Sequence, residues 1–233
     1  MFFGQNVSIP DANFKAYLVG NSVINSNGDT EIQLSEANSF NGSIICNSLN
    51  INDLTGIEAF VSLTTLNCEN NQLTSLNVSQ NVNLVDLECN NNQLSSLDLS
   101  NNSALIDLEC DYNQLTSLDV SNNMALIYLS CSFNQISVLD VSQNISLLGI
   151  ICGNNQISSL DVSNNFALNT FKCSNNQLSS LDVNINSSLM ILECYNNELT
   201  SLDLSNNGSL MLFSCNNNQL TYLDLRNGNN INF

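Results

Sequence analysis

The chain has no histidine, and only Lys15, Lys172 and Arg226 stand against 21 acidic residues. Without histidine it lacks the usual neutral-pH general base and the commonest metal ligand. The formal net charge of −18 excludes polyanionic partners, because neutralising phosphates takes clustered Lys and Arg. Nucleic acid and an anionic lipid surface are both ruled out on this ground. No apolar run approaches the ~20 residues that span a bilayer, so membrane insertion is not expected. The start, Met1-Phe2-Phe3-Gly4-Gln5, lacks a basic n-region and a long apolar stretch, and is not read as an intact signal peptide. What is present is apolar: 43% hydrophobic with 10% charged residues, enough for an extended core.

That apolar material is strictly periodic. Cysteines fall at 46, 68, 89, 110, 131, 152, 173, 194 and 215, a first gap of 22 and then seven of 21. Aligned on them, eight units begin at Leu63, Leu84, Leu105, Leu126, Leu147, Leu168, Leu189 and Leu210. The unit reads L-x-x-L-x-C-x-x-N-Q-L-x-x-L-D-V-S-x-N-x-x, as in Leu84 to Ala104 with Leu99 in the valine place. A fixed period of this length predicts a solenoid. Leu87 and Cys89 at i, i+2 share one side of a short strand, leaving Asp86, Glu88 and Asn90 on the other. No stretch within the units keeps helical spacing for three turns. Each unit is therefore one coil, made of a strand, a turn, a second extended segment and a return. A single coil cannot bury enough, so neighbours must stack. Asn92, Asn113, Asn134, Asn155, Asn176, Asn197 and Asn218 suit that stacking, since a primary amide both donates and accepts. Each is expected to close its own turn and to pair with the asparagine of the next coil.

L-x-x-L-x-C-x-x-N-x-L resembles the leucine-rich repeat, with cysteine where that family usually places its third strand leucine. The added Q-L-x-x-L-D-V-S-x-N is similar to repeats of secreted and surface-attached bacterial members. The resemblance covers residues 44–230. It implies a β-rich, right-handed solenoid with a parallel sheet on its concave face, which usually binds a protein or a glycan and seldom catalyses. The expected organisation is a cap over residues 1–43, an irregular lead-in coil over 44–62, and the eight units from 63 onward.

Nine in-phase cysteines place one thiol per coil, ~4.8 Å apart. An odd count cannot pair fully, and zinc would need converging C-x₂₋₄-C ligands that the sequence lacks. The thiols are expected to be a buried ladder of small hydrophobes, and burial would let them persist in an oxidising compartment.

Pro10 to Val19 reads as a short helix with proline near its first position and Phe14, Tyr17 and Leu18 as apolar residues. The next segment, Asn25 to Glu36, resembles an EF-hand loop. The resemblance assigns calcium ligands to Asn25, Asn27, Asp29, the Glu31 carbonyl, Gln33 and Glu36. Asparagine at the first position and Thr30 at the sixth, where a glycine turn is needed, depart from the pattern. A weak calcium site and a calcium-free cap both remain open, and no cofactor is required.

Two further rows follow the period. Asn77, Asp98, Asp119, Asp140, Asp161, Asp182, Asp203 and Asp224 share one position. They are either a line of cation sites or a repeated Asx turn, and a rule copied in every coil points to the turn. Thr74-Ser75, Ser95-Ser96, Thr116-Ser117, Ser158-Ser159, Ser179-Ser180 and Thr200-Ser201 form a hydroxyl row, interrupted at Val138 and Tyr222. Turn-forming hydroxyls explain it more simply than ice binding does.

The outward strand positions vary, which is where a partner would be read. Early units are acidic at Glu69, Asp86, Glu88, Asp107, Glu109 and Asp111. Later ones are mixed at Tyr128, Ser130, Phe133, Ile151, Lys172, Glu193 and Tyr195, whose exposed aromatic and apolar groups are candidate anchors. No base stands near any serine, so no enzyme is expected. The sequence reads as a secreted or cell-surface bacterial module that binds a protein or glycan. The competing reading is a spacer or filament subunit that self-associates through the end Arg226-Asn227-Gly228-Asn229-Asn230-Ile231-Asn232-Phe233, where no cap is recognisable.

Overall fold

A computed structural model of the chain describes residues 4–226. Strands three residues long recur once per coil and pair in parallel into a nine-stranded sheet. They are Ser43–Ile45, Thr65–Asn67, Asp86–Glu88, Asp107–Glu109, Tyr128–Ser130, Gly149–Ile151, Thr170–Lys172, Ile191–Glu193 and Leu212–Ser214. The sheet follows chain order, and the register pairs equivalent residues of successive coils. Ile44, Leu66, Leu87, Leu108, Leu129, Ile150, Phe171, Leu192 and Phe213 thus form a single column. The column points inward, as the alternation of a strand requires. The lead-in coil is regular at this position: its strand Ser43–Ile45 opens the sheet.

The cysteines stand behind that column, all free and buried except Cys215, which is partly exposed. Burial pushes the thiols of Cys46, Cys89 and Cys194 up to about 12 and holds those of Cys68, Cys110, Cys131, Cys152 and Cys173 well above the ordinary range. They are inert hydrophobes at neutral pH.

Asparagine joins the coils, though not by the amide-to-amide route expected for Asn92 and its equivalents. Asn92 Nδ2 donates to the carbonyls of Cys68, Cys89 and Asn90, and its Oδ1 accepts the Leu73 N–H at 3.0 Å. The amide therefore bridges the backbones of its own coil and the preceding one. Asn113, Asn134, Asn155, Asn176 and Asn197 repeat the arrangement. Pairing between side-chain amides occurs in a different row, Asn175–Asn196–Asn217, at 2.5 and 2.6 Å. That row sits where each coil turns with a left-handed backbone, φ being 53 to 59 from Ser48 to Asn217. Asparagine tolerates such a conformation.

A further asparagine row was not given a role by the sequence. Asn81, Asn102, Asn123, Asn144, Asn165, Asn186 and Asn207 are wholly buried. Asn102 Nδ2 donates to Val78 O and Asn81 O of the coil before, and the others repeat this. The Oδ1 atoms of Asn81, Asn102, Asn123, Asn144, Asn165 and Asn186 accept no hydrogen bond. The row is kept for its donors: each amide gives a second hydrogen bond to two carbonyls of the preceding coil that already accept a backbone N–H, and so ties one coil to the next.

The aspartate row is the Asx turn. The Oδ1 of Asp98, Asp119, Asp140, Asp161, Asp182, Asp203 and Asp224 accepts the backbone N–H two residues on, and Asn77 does the same. The N–H and hydroxyl of the following serine hold Asp98, Asp140 and Asp161 below the usual carboxylate range. For Asp119 the Ser121 hydroxyl leads. Beside this row, Leu118–Asp119 pairs with Leu139–Asp140, and Ser201–Asp203 with Tyr222–Asp224.

The N-terminal segment covers the open end of the sheet. Helix α1, Ala12–Gly20, starts two residues after Pro10, because Asp11 is its N-cap and accepts from Asn13 N and Phe14 N. Phe14 and Leu18 are fully buried. Tyr17 reaches the first strand, where its hydroxyl accepts the Ile45 N–H at 2.9 Å. That bond pairs a group which an edge strand leaves unpaired. A second helix, α2 over Leu34–Ser39, was not anticipated; it begins inside the EF-hand-like segment. Residues from 227 onward, on which the uncapped-end reading rests, lie outside the described residues.

Two outcomes test this packing. Asn134→Ala removes the donor to Cys110 O and Cys131 O and the acceptor of Leu115 N, and is expected to lower stability in denaturant titration by about 2–4 kcal/mol, the range for several buried groups left unpaired. In the native protein Ellman's reagent is expected to find only Cys215, the other thiols reacting after unfolding; prompt native reaction of more would contradict the ladder's burial.

Candidate functional site

The outward face of the main sheet brings most of the candidate residues together. Asp86, Glu88, Asp107, Glu109, Tyr128, Ser130, Ile151, Lys172 and Glu193 lie on its strands. Glu69, Asp111 and Tyr195 follow the cysteines of their coils. Phe133 is displaced from the strand position expected for it: it occupies the left-handed turn, φ 54. There it stacks on Tyr112, a residue the sequence reading passed over, with centroids 4.1 Å apart and planes 9° from parallel.

The face divides by charge. Strand pairing sets Asp86 beside Asp107 and Glu88 beside Glu109. Burial first, then the neighbouring Glu109, holds Asp86 and Asp107 above the ordinary carboxylate range. Burial and then Asp86 do the same for Glu88. Amides relieve part of the crowding, Asn67 Nδ2 donating to Glu88 and Asn90 Nδ2 to Glu109 at 2.8 Å. Carboxyls whose folded pKa is raised keep their protons longer in the folded chain. Their contribution to stability therefore falls as pH rises past the unfolded range, near 4, and stays lower at neutrality. Toward the other end Lys172 pairs with Glu193 at 3.1 Å.

Where the acidic strands end, the sheet carries a recess of about 330 Å³ lined by Asp107, Glu109, Tyr128, Ser130, Ile151 and Thr170. Gly149 forms part of its lining and explains it. A Cβ on that residue would sit 2.8 Å from Tyr128 Cδ1, so glycine alone admits the ring. The sequence signal was available, since every other unit carries a larger residue at this position. Tyr128 remains 47% exposed, so its ring is available to a partner.

The six residues of the EF-hand-like loop also come together, joined to one another and to the backbone. Asn25 Nδ2 donates to Val19 O and Asp29 O, while its Oδ1 accepts from Gly28 N. Asn27 and Gln33 amides donate to Asp29 Oδ2, and the Glu31 side chain pairs with Lys15 at 2.7 Å. Glu36 is buried as the reciprocal partner in the capping box of α2. Its carboxylate accepts from Ser26 N and Oγ, Asn27 N and Gln33 N. Asp29 and Glu36 thus accept donors from within the loop, whereas the Glu31 carboxylate is held by Lys15. Among the described residues no three His, Cys, Asp or Glu side chains converge as a metal-binding group, and no helix is long and apolar enough to cross a membrane.

No protein-family model and no curated protein matches the sequence. Solved structures do. The functional domain of InlJ from Listeria monocytogenes, described as including a cysteine ladder, is 31% identical over 95% of this chain and 61% of its own, with a TM-score of 0.56. A leucine-rich repeat protein of Leptospira interrogans is 29% identical over 71% of this chain and 46% of its own, at 0.67. Internalin C2 of Listeria monocytogenes, at 17% identity over 94% and 91%, shares the fold at 0.63. The chain thus spans less than two thirds of the first two. Taken with the 21-residue period and the unbroken parallel register, these likenesses show that the chain has the leucine-rich repeat fold.

Proposed function

We propose that this chain is a non-catalytic, extracellular binding module that takes a protein partner on its concave sheet. The observation that carries this reading is the recess at Tyr128, Gly149 and Ile151, an apolar floor walled by Asp107 and Glu109. Apolar and aromatic anchors ringed by charge are what a binding hot spot needs. The crowded carboxylates supply the complement of a basic surface and would speed its approach. A secreted or surface location in a bacterium accords with thiols too buried to oxidise and with likenesses from two bacterial species. A glycan partner is the alternative outcome of the same test.

On a surface-protein and glycan array, Tyr128→Ala and Ile151→Ala are each expected to weaken capture at least tenfold, the effect of losing an anchor worth more than about 1.4 kcal/mol. Asp107→Asn should weaken capture while raising Tm, because it removes a carboxylate the fold crowds. Unchanged capture by all three variants would place the site elsewhere.

In this reading the cap needs no calcium, because the loop's own hydrogen bonds close it. Millimolar calcium is expected to leave Tm unchanged. Glu36→Gln is expected to lower Tm whether calcium is present or not, having lost a charged acceptor of four donors. A rise in Tm with calcium that Glu36→Gln abolishes would instead establish the cation site.

A further inference from the structure

Tyr112 and Phe133 break a rule that the other coils keep. Every coil turns two residues after its cysteine through a left-handed residue, and those residues are Ser48, Asn70, Asn91, Asn154, Asn175, Asn196 and Asn217 apart from these two. Asparagine adopts that backbone readily, whereas a bulky side chain there is strained. Two adjacent coils carry the strain together. Their rings stack face to face and stay 49% and 42% exposed.

The rings do not serve the core. Cys110 and Cys131, which precede them in the chain, are 0% exposed, and so are Cys89 and Cys152 in the flanking coils that have asparagine at the turn. The ladder hydrogen bonds also match: Tyr112 N reaches Ser132 O and Phe133 N reaches Gly153 O, as Asn91 N reaches Asp111 O. Asparagine would complete both coils equally well. The stack covers one face of each ring, but strain kept without a gain to the core beneath it points to a ligand on the exposed faces.

The surroundings indicate its chemistry. Asp111, next to Tyr112, has its carboxylate fixed by the Ser130 hydroxyl at 2.6 Å and the Ser132 N–H at 2.5 Å. Ser130 in turn lines the recess. Aromatic planes and carboxylates therefore form one continuous strip from the turn to Tyr128. A lysine would use the charge but not the planes, and a neutral sugar the planes but not the charge. A guanidinium uses both, stacking on a ring while pairing with a carboxylate.

We infer that the Tyr112–Phe133 pair is a docking point for an arginine side chain of the protein partner; this rests on the reading of the main sheet as the binding face. The test compares the parent with the double variant Tyr112→Asn, Phe133→Asn, which gives both coils the residue their neighbours carry. Tetra-arginine and tetra-lysine peptides are titrated calorimetrically, with an N-acetylglucosamine tetramer as the neutral probe. The parent is expected to prefer the arginine peptide. The variant should lose that preference, binding tetra-arginine about fivefold more weakly and tetra-lysine as before, since no carboxylate has changed. Its Tm should be no lower than the parent's. Retained arginine preference would overturn the inference, as would loss of the sugar alone. A lower Tm with unaltered peptide binding would make the pair structural. Tyr128→Ala separates the two readings: if it still weakens capture of the array partner while the double variant does not, the sheet stands and the arginine anchor falls.

Discussion

The structure depends on one requirement: every coil must pair the backbone groups it buries where the chain changes direction. Strands of three residues supply only part of the ladder. Between them lie turns whose carbonyls and N–H groups point along the solenoid axis into the next coil. Side-chain amides join successive coils at two corners. The Asn92 row bridges own-coil and preceding-coil backbone with donor and acceptor together. The Asn102 row uses its donors only and leaves a buried oxygen unpaired. The stranded oxygen is offset there by two inter-coil hydrogen bonds, made to carbonyls that already accept a backbone N–H.

This requirement also explains why the charge of the chain is tolerable. Seven aspartates one coil apart ought to repel. Each is instead an acceptor for its own turn, and for several the local hydrogen bonds outweigh the neighbours. On the main sheet the opposite holds. Asp86, Glu88 and Asp107 have no such turn to close, and burial with mutual repulsion dominates. Aspartate thus stabilises one face of the same coil and is held at a disadvantage on the other. The second situation is not something a scaffold selects for.

The architecture was legible because the period fixes phase: once equivalent residues are known to stack, the strand column, the thiol ladder and the Asx turns follow from local chemistry. What the phase does not reveal is which group a side chain reaches. Asn92 and Asn102 look alike in sequence, yet their partners in the preceding coil lie 19 to 24 residues away and differ. Helix α2 was hidden because Glu36 reads equally as a calcium ligand and as the third residue of a capping box. Phe133 was placed on the strand because nothing in the pattern x-x-N distinguishes a pleated residue from a left-handed one.

A repeat protein contains its own control experiment, since each coil states what the fold needs at every position. Residues that obey the unit are accounted for by stacking; those that depart from it without loss to the core need another reason. By that criterion the departures concentrate in adjoining coils: the ring of Tyr128 over Gly149, and the strained pair Tyr112 and Phe133 beside Asp111. They adjoin the carboxylates that the fold alone would not crowd. Strain, exposed aromatic surface and uncompensated charge each disfavour the isolated chain, and a basic partner seated on this strip would relieve all but the first. That coincidence, rather than any single residue, is the physical case for recognition at the middle of the solenoid.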